Sequence, residues 1–136
     1  MEITVTLTGG KKVEAKVKEF RMETDQPKES GGNGSAPTPF DLFLGSVAAC
    51  SGYYVLGFCQ SRNISTDGIR VVMRTVHDPE KKMIVKISIE IVLPPEFPEK
   101  YRGPVVRAAD LCSVKKHMLD PPDFETYATV GGSRIE

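Results

Sequence analysis

Apolar and polar residues alternate from the start of the chain. Ile3, Val5 and Leu7 interleave with Glu2, Thr4, Thr6 and Thr8; beyond Gly9-Gly10, Val13, Ala15 and Val17 interleave with lysines and a glutamate. Period-two alternation on both sides of a glycine pair predicts a β-hairpin. Past Lys18 the apolar positions move to Phe20 and Met22, an even-numbered set that calls for either a bulge or a further strand. The following TDQPKESGGNGSAPT, Thr24 to Thr38, is rich in Gly, Pro, Ser and Asn and reads as a surface loop.

The pattern then changes. From Pro39 to Arg62, PFDLFLGSVAACSGYYVLGFCQSR, no charged side chain falls between Asp41 and Arg62, and small residues are scattered among large apolar ones. That mixture predicts a helix packed on all sides. Its start is marked by Thr38 as N-cap, Pro39 in the first helical position and Asp41 in the third, where a carboxylate meets unpaired amides. Its end is softer, near Ser61 to Asn63 and ahead of the Asp67-Gly68 turn.

Alternation returns at Ile69, Val71 and Met73, with Val72 and Val76 on the other face, and again from Met83 to Leu93 after a turn at Asp78-Pro79-Glu80-Lys81. These are the strands of a second hairpin. Pro94-Pro95 stops it. Pro98 and Pro104 each offer a helix entry, so the segment to Met118 reads as one kinked helix or as a short turn and then a longer helix, ended by Pro121-Pro122. Phe124 to Val130 alternates once more and is expected to close the sheet. Runs of strands with few helices predict an α+β fold with an antiparallel sheet, residues 1–136 forming a single domain.

Charge narrows the partners. Lysine plus arginine equals aspartate plus glutamate, 18 each, so the formal net charge is zero. Neither nucleic acid nor an anionic membrane is expected as a partner. The uncharged run approaches the roughly 20 apolar residues of a membrane span, but three serines, three glycines and a glutamine dilute it, and a core helix is the expectation. The chain opens without a basic segment or a long apolar one, which predicts a cytoplasmic location with reduced thiols.

The candidate chemistry lies in three cysteines, at 50, 59 and 112. No CxxC pair and no paired histidines give a metal spacing, and no metal or organic cofactor is expected. Dinucleotide, P-loop and G-x-S-x-G signatures are absent from the sequence. Cys59 lies nine residues beyond Cys50 and so on the opposite side of the helix, where it reads as a small core residue. Cys50 and Cys112 fall on inward faces of two helices. Lys115 and Lys116 follow one turn after Cys112, either favouring thiolate there or forming a solvated face. Cys50 sits some three turns past Pro39, too far for that helix's dipole. Its activation must come from elsewhere, with Arg21 or a polar group from the glycine-rich loop, such as Glu29, as candidates. His77 and His117 read as solvated or capping residues.

APTPFDLFLGSVAAC, followed some sixty residues later by RAADLCSVKKH, resembles the two cysteine motifs of the OsmC/Ohr family of thiol-dependent peroxide-detoxifying proteins. The resemblance implies an OsmC-like α+β fold, antiparallel sheets around a long buried central helix and a second helix, in an intertwined homodimer. It implies that Cys50 attacks a hydroperoxide and becomes a sulfenic acid, and that Cys112 resolves it to a disulfide reopened by a dithiol reductant of the dihydrolipoamide type. An apolar pocket around Phe40, Phe43, Tyr53 and Tyr54 would favour organic hydroperoxides. Strongly active members carry a hairpin arginine against the thiolate; the positions here hold Lys11 or Lys12. Their glutamate is replaced by Phe40, with Asp41 next. The alternative function is a dimer of the same fold that binds a small apolar ligand or senses oxidants without turnover.

Overall fold

A computed structural model describes residues 1–135 of the chain. Its first unit is an antiparallel sheet of β1 (Ile3–Gly9), β2 (Lys12–Val17) and β3 (Phe20–Thr24). Gly9 and Gly10 take positive φ at the first turn, and Lys18, at φ 53, opens a two-residue turn into β3. The switch to even-numbered apolar positions is therefore a further strand. Because Val17 pairs with both Ile3 and Phe20, and Ala15 with both Val5 and Met22, the apolar residues share one face. That face is bare: Ile3, Val5, Leu7 and Phe20 are exposed.

The loop after β3 is organised by Asp25. Its carboxylate is buried and accepts the backbone N–H groups of Gln26, Asn33 and Ser35 and the Ser35 hydroxyl at 2.7 Å. These donors, the Ser35 hydroxyl foremost, lower its pKa from 3.8 to about 2. At Gly32, a Cβ would fall 1.9 Å from the Gln26 carbonyl oxygen, so only glycine closes this loop.

The loop delivers the chain to α1 (Pro39–Gln60). Thr38 Oγ1 accepts the Asp41 N–H at 3.1 Å and the Asp41 carboxylate accepts the Thr38 N–H at 2.9 Å, a complete capping box. At the far end Arg62 donates to the Phe58 carbonyl and stacks 3.8 Å over the Phe58 ring, placing a cation at the negative helix terminus. By length and composition α1 could cross a membrane. Within the chain it buries one side only, through Val47, Ser51, Val55, Phe58 and Cys59, while Tyr53 is 67% exposed. The expected all-round packing is thus confined to one face in a single chain.

That face meets β4 (Arg70–Asp78) and β5 (Met83–Val92), an antiparallel pair bulged at Val76/His77, and α2 (Arg102–Ala109). The core joins Val55, Phe58 and Cys59 to Phe97, Val105 and Ala109, with Ile69, Val71, Ile91 and Leu93 against it. Each fully buried aliphatic side chain contributes roughly 1.5–3 kcal/mol.

Two expectations are corrected. The second helical region is neither continuous nor simply kinked at its prolines: a 3-10 turn (Glu99–Tyr101) leads into α2, the chain breaks at Asp110 to Cys112, and α3 (Ser113–Leu119) follows with Cys112 as its N-cap. The closing strand is also different. Gly131-Gly132, both at positive φ, fold β6 (Ala128–Val130) back on β7 (Ser133–Ile135), and this pair forms its own sheet. The architecture is α+β with antiparallel sheets throughout.

Candidate functional site

The break between α2 and α3 builds the site. In a continuous helix the amides of Ser113 and Val114 would be spent on carbonyls one turn back. At a helix start they are free, and α3 packs this end against the middle of α1. Cys50, partly buried on α1, faces it: its Sγ lies 3.6 Å from Ser113 Oγ. Cys112 is fully buried beside it. The Cys112 thiol approaches the Val47 carbonyl at 3.9 Å, and its sulfur accepts the Lys115 N–H at 3.5 Å as the cap of α3.

The two thiols therefore occupy different environments. The Cys50 pKa falls from 9.0 to about 7, chiefly because the Val114 N–H points at its sulfur; burial opposes the shift, and the Cys112 thiol and the Ser113 hydroxyl and amide add to it. At pH 7 such a thiol is about half thiolate. Cys59 is the contrast. Sealed in the core with only the Arg62 charge to offset it, its pKa is raised by burial.

Cys50 and Cys112 are brought together from positions 62 residues apart. The other candidates lie elsewhere. Arg21 is exposed on β3 and pairs with Glu14 at 2.6 Å; Lys12 begins β2; Glu29 sits in the exposed 3-10 turn Lys28–Ser30; Asp41 is held in the capping box. Among the described residues none of these four makes a hydrogen bond or ion pair with either thiol. Lys115, a sequence candidate for activating a thiol, instead spends its ammonium on Asp110 at 2.7 Å.

Two apolar hollows take walls from both α1 and α3, and Cys50 lines neither. One of about 740 Å³ is walled by Phe40, Phe43, Ile84, Ile87 and Met118, with Thr75, His77 and Lys82 its polar groups. A second, of about 410 Å³, shares Phe43 and Met118 and adds Ser113, Val114, His117 and Phe124. The Phe40 and Phe43 rings lie 5.5 Å apart. Tyr53 and Tyr54 pack edge to face with each other and line neither hollow.

Sequence reasoning passed over Ser113 and the Val114 amide because no glycine or proline marks the helix break. The one local signal is Ser113 itself, a residue type common at helix starts. Among the described residues no group of three or more His, Cys, Asp or Glu side chains could hold a metal ion.

The fold has known counterparts. The sequence model described as OsmC-like protein matches residues 32–126. A crystal structure of a candidate osmotic stress induced and detoxification response protein from Psychrobacter arcticus superposes with a TM-score of 0.72 at 23% identity, covering 84% of this chain and 85% of that one. An organic hydroperoxide resistance protein OsmC from Legionella pneumophila gives 0.56 at 19% identity, over 86% and 87% of the two chains. OhrB, the organic hydroperoxide resistance protein of Bacillus subtilis, gives 0.52 at 20%, over 85% and 88%. At these identities the likeness is one of fold. No curated protein matches the sequence.

Proposed function

From the premise that the chain belongs to the OsmC-like protein family, we propose that it is a cytoplasmic, cysteine-based peroxidase that reduces organic hydroperoxides in oxidative stress defence. The observation that carries the reading is the pairing of an activated, partly accessible Cys50 with a buried Cys112 at the same helix start.

The Cys50 thiolate attacks the terminal oxygen of ROOH, an S–O bond forms, the O–O bond breaks, and the departing alkoxide takes a proton to become ROH. Cys50 is now a sulfenic acid. The Cys112 thiol displaces its hydroxyl, releasing water and leaving a Cys50–Cys112 disulfide. A dithiol reductant reopens it by exchange. Phe40 and Phe43 wall the hollow that takes the alkyl group, which favours organic hydroperoxides over hydrogen peroxide. The family's hairpin arginine has no counterpart in this reading; the amides of α3 take its place in stabilising the thiolate.

The protein works as a homodimer in this proposal. A compact monomer of this mass exposes about 7,000 Å², whereas the chain exposes 10426 Å². The excess is of the size that obligate dimers hide. It includes the bare face of the β1–β3 sheet and the open side of α1, two apolar surfaces that a second copy would cover.

Turnover of cumene hydroperoxide with dihydrolipoamide tests the function. Cys50→Ser abolishes it, and Cys112→Ser permits one equivalent of oxidation without turnover. Peptide mass spectrometry after a stoichiometric pulse finds the Cys50–Cys112 disulfide. Unchanged consumption by Cys50→Ser rejects Cys50 as the peroxidatic thiol, and stoichiometric oxidation of the wild type without turnover rejects the peroxidase in favour of a binding or sensing dimer.

A further inference from the structure

Past Asp110, the C-cap of α2, neither proline nor glycine sets the angle at which α3 meets α1; that is left to Leu111 and Cys112. α3 has no buried side chain of its own, so the core grips it chiefly through Cys112 at its head. The break is crossed by an ion pair, Lys115 Nζ to Asp110 Oδ1 at 2.7 Å, the one ion pair that α3 makes among the described residues. Both charges stand against local preference. Lys115 is the third residue of α3, where free amides carry partial positive charge and disfavour a cation, and Asp110 sets a carboxylate at the negative end of α2. Each is tolerable there because of the other. The Lys115 side chain is three-quarters covered, its stem walling a hollow of about 280 Å³ with Val47, Ile87 and Ile89. Its backbone N–H meanwhile reaches the Cys112 sulfur at 3.5 Å.

We propose that Asp110 and Lys115 are positioning residues for Cys50, their ion pair clamping the α2–α3 break so that the start of α3 stays docked on the sulfur. The clamp works through geometry. The groups that lower the Cys50 pKa are the Val114 N–H, the Cys112 thiol and the hydroxyl and amide of Ser113, all carried by the residues between or beside the clamped pair. Hydrogen bonds act over about 3 Å, so a small opening of the break weakens all of them together. The charges of Asp110 and Lys115, 2.7 Å apart, largely cancel at a distance. This holds for whatever oxidant or ligand the thiol meets, and so goes beyond the peroxidase reading.

Opposite charges allow a test by sign. Alkylation by iodoacetamide, followed on the Cys50 peptide from pH 5 to 11, reads the midpoint of thiolate formation in Asp110→Asn, Lys115→Met and the double variant; Met keeps an apolar stem against the hollow. A clamp requires both single variants to raise the midpoint, by about 0.2–0.7 pH units, the scale of a partly exposed ion pair. The double variant raises it no further than either single change. Lys115→Arg, which keeps a cation within reach of Asp110, retains the wild-type midpoint. Charges acting on the sulfur through space would instead move the singles apart, Asp110→Asn downward and Lys115→Met upward, and that result overturns the assignment. So do unchanged midpoints in both singles, or a Lys115→Arg midpoint displaced as far as that of Lys115→Met. Hydroperoxide turnover plays no part in the readout, so a failure of the peroxidase reading leaves the clamp to stand or fall on the midpoints alone.

Discussion

Replacing Val114 by proline removes the largest single stabiliser of the Cys50 thiolate, the Val114 N–H, without removing any side chain that touches the sulfur. The position is the second of α3, where the N–H has no helical acceptor and a fixed φ near −65° suits the first turn. With its pKa near 7, Cys50 is about half thiolate at pH 7; returned to 9.0 it would be about 1% thiolate, a loss of roughly 50-fold in the reactive form. Reactivity does not fall by that much. A thiolate of higher pKa is a better nucleophile, and a Brønsted slope of about 0.4–0.5 restores about 6- to 10-fold over two pH units. Complete loss of the shift therefore slows reaction at pH 7 by only about 5- to 8-fold, and above pH 10 the variant should overtake the wild type by about 6- to 10-fold. The assay is alkylation of Cys50 by iodoacetamide across pH 5 to 11, followed on the Cys50 peptide because Cys59 and Cys112 are buried. Crossing rate profiles are expected, with Ser113→Ala giving a smaller displacement in the same direction. Superimposable profiles for Val114→Pro, with the far-UV circular dichroism of the wild type, would refute the idea that the start of α3 activates the thiol.

Other measurements test the frame around the site. The Asp25 carboxyl has its pKa lowered to about 2, so it contributes stability that is present above its unfolded pKa of 3.8 and is lost as the pH falls through about 2. Melting temperatures between pH 5 and 2 should fall less steeply for Asp25→Asn, which is less stable than wild type at pH 6; parallel curves would remove Asp25 as the loop's anchor. Gly32→Ala must push its Cβ away from the Gln26 carbonyl, a displacement expected to destabilise by about 1–3 kcal/mol in urea titration and to open the loop to proteolysis. Val5→Glu sets a charge in the middle of the bare sheet face. If that face is covered by a second copy, analytical ultracentrifugation will show dissociation into monomers, and an unchanged sedimentation coefficient would place the contact elsewhere.

Legibility from sequence followed the range of the forces involved. The strands of both hairpins, the start of α1 and the turn at Asp78 rest on alternation, a capping box and turn residues, and all stand in the structure; Asp78 Oδ1 accepts the N–H groups of Glu80 and Lys81 as the turn requires. Two misreadings had local grounds as well. The alternation of Phe124 to Val130 was compatible with an added strand, but Gly131-Gly132 made pairing with the next residues the nearer solution. The helical reading of the segment to Met118, with Cys112 on an inward face, passed over a break that no proline or glycine announces, because a cysteine stands where an oxygen-bearing cap is usual.

For the candidate site the division is sharper. The sequence by itself determined that Cys50 lies deep in an uncharged helix, that this helix's own N-terminus is too distant to activate it, and that Cys112 is carried by the helical region that follows the second hairpin. These follow from the composition of one segment and from the fixed rise of a helix. Only the tertiary structure decided that α3 begins at Ser113 and docks its free amides on Cys50, that Cys112 caps that same end, and that Lys115 is spent on Asp110. Hydrogen bonds act over about 3 Å, so the groups that tune a thiol are those the fold places against it, here from 63 and 64 residues along the chain, and no periodicity in the sequence encodes that distance.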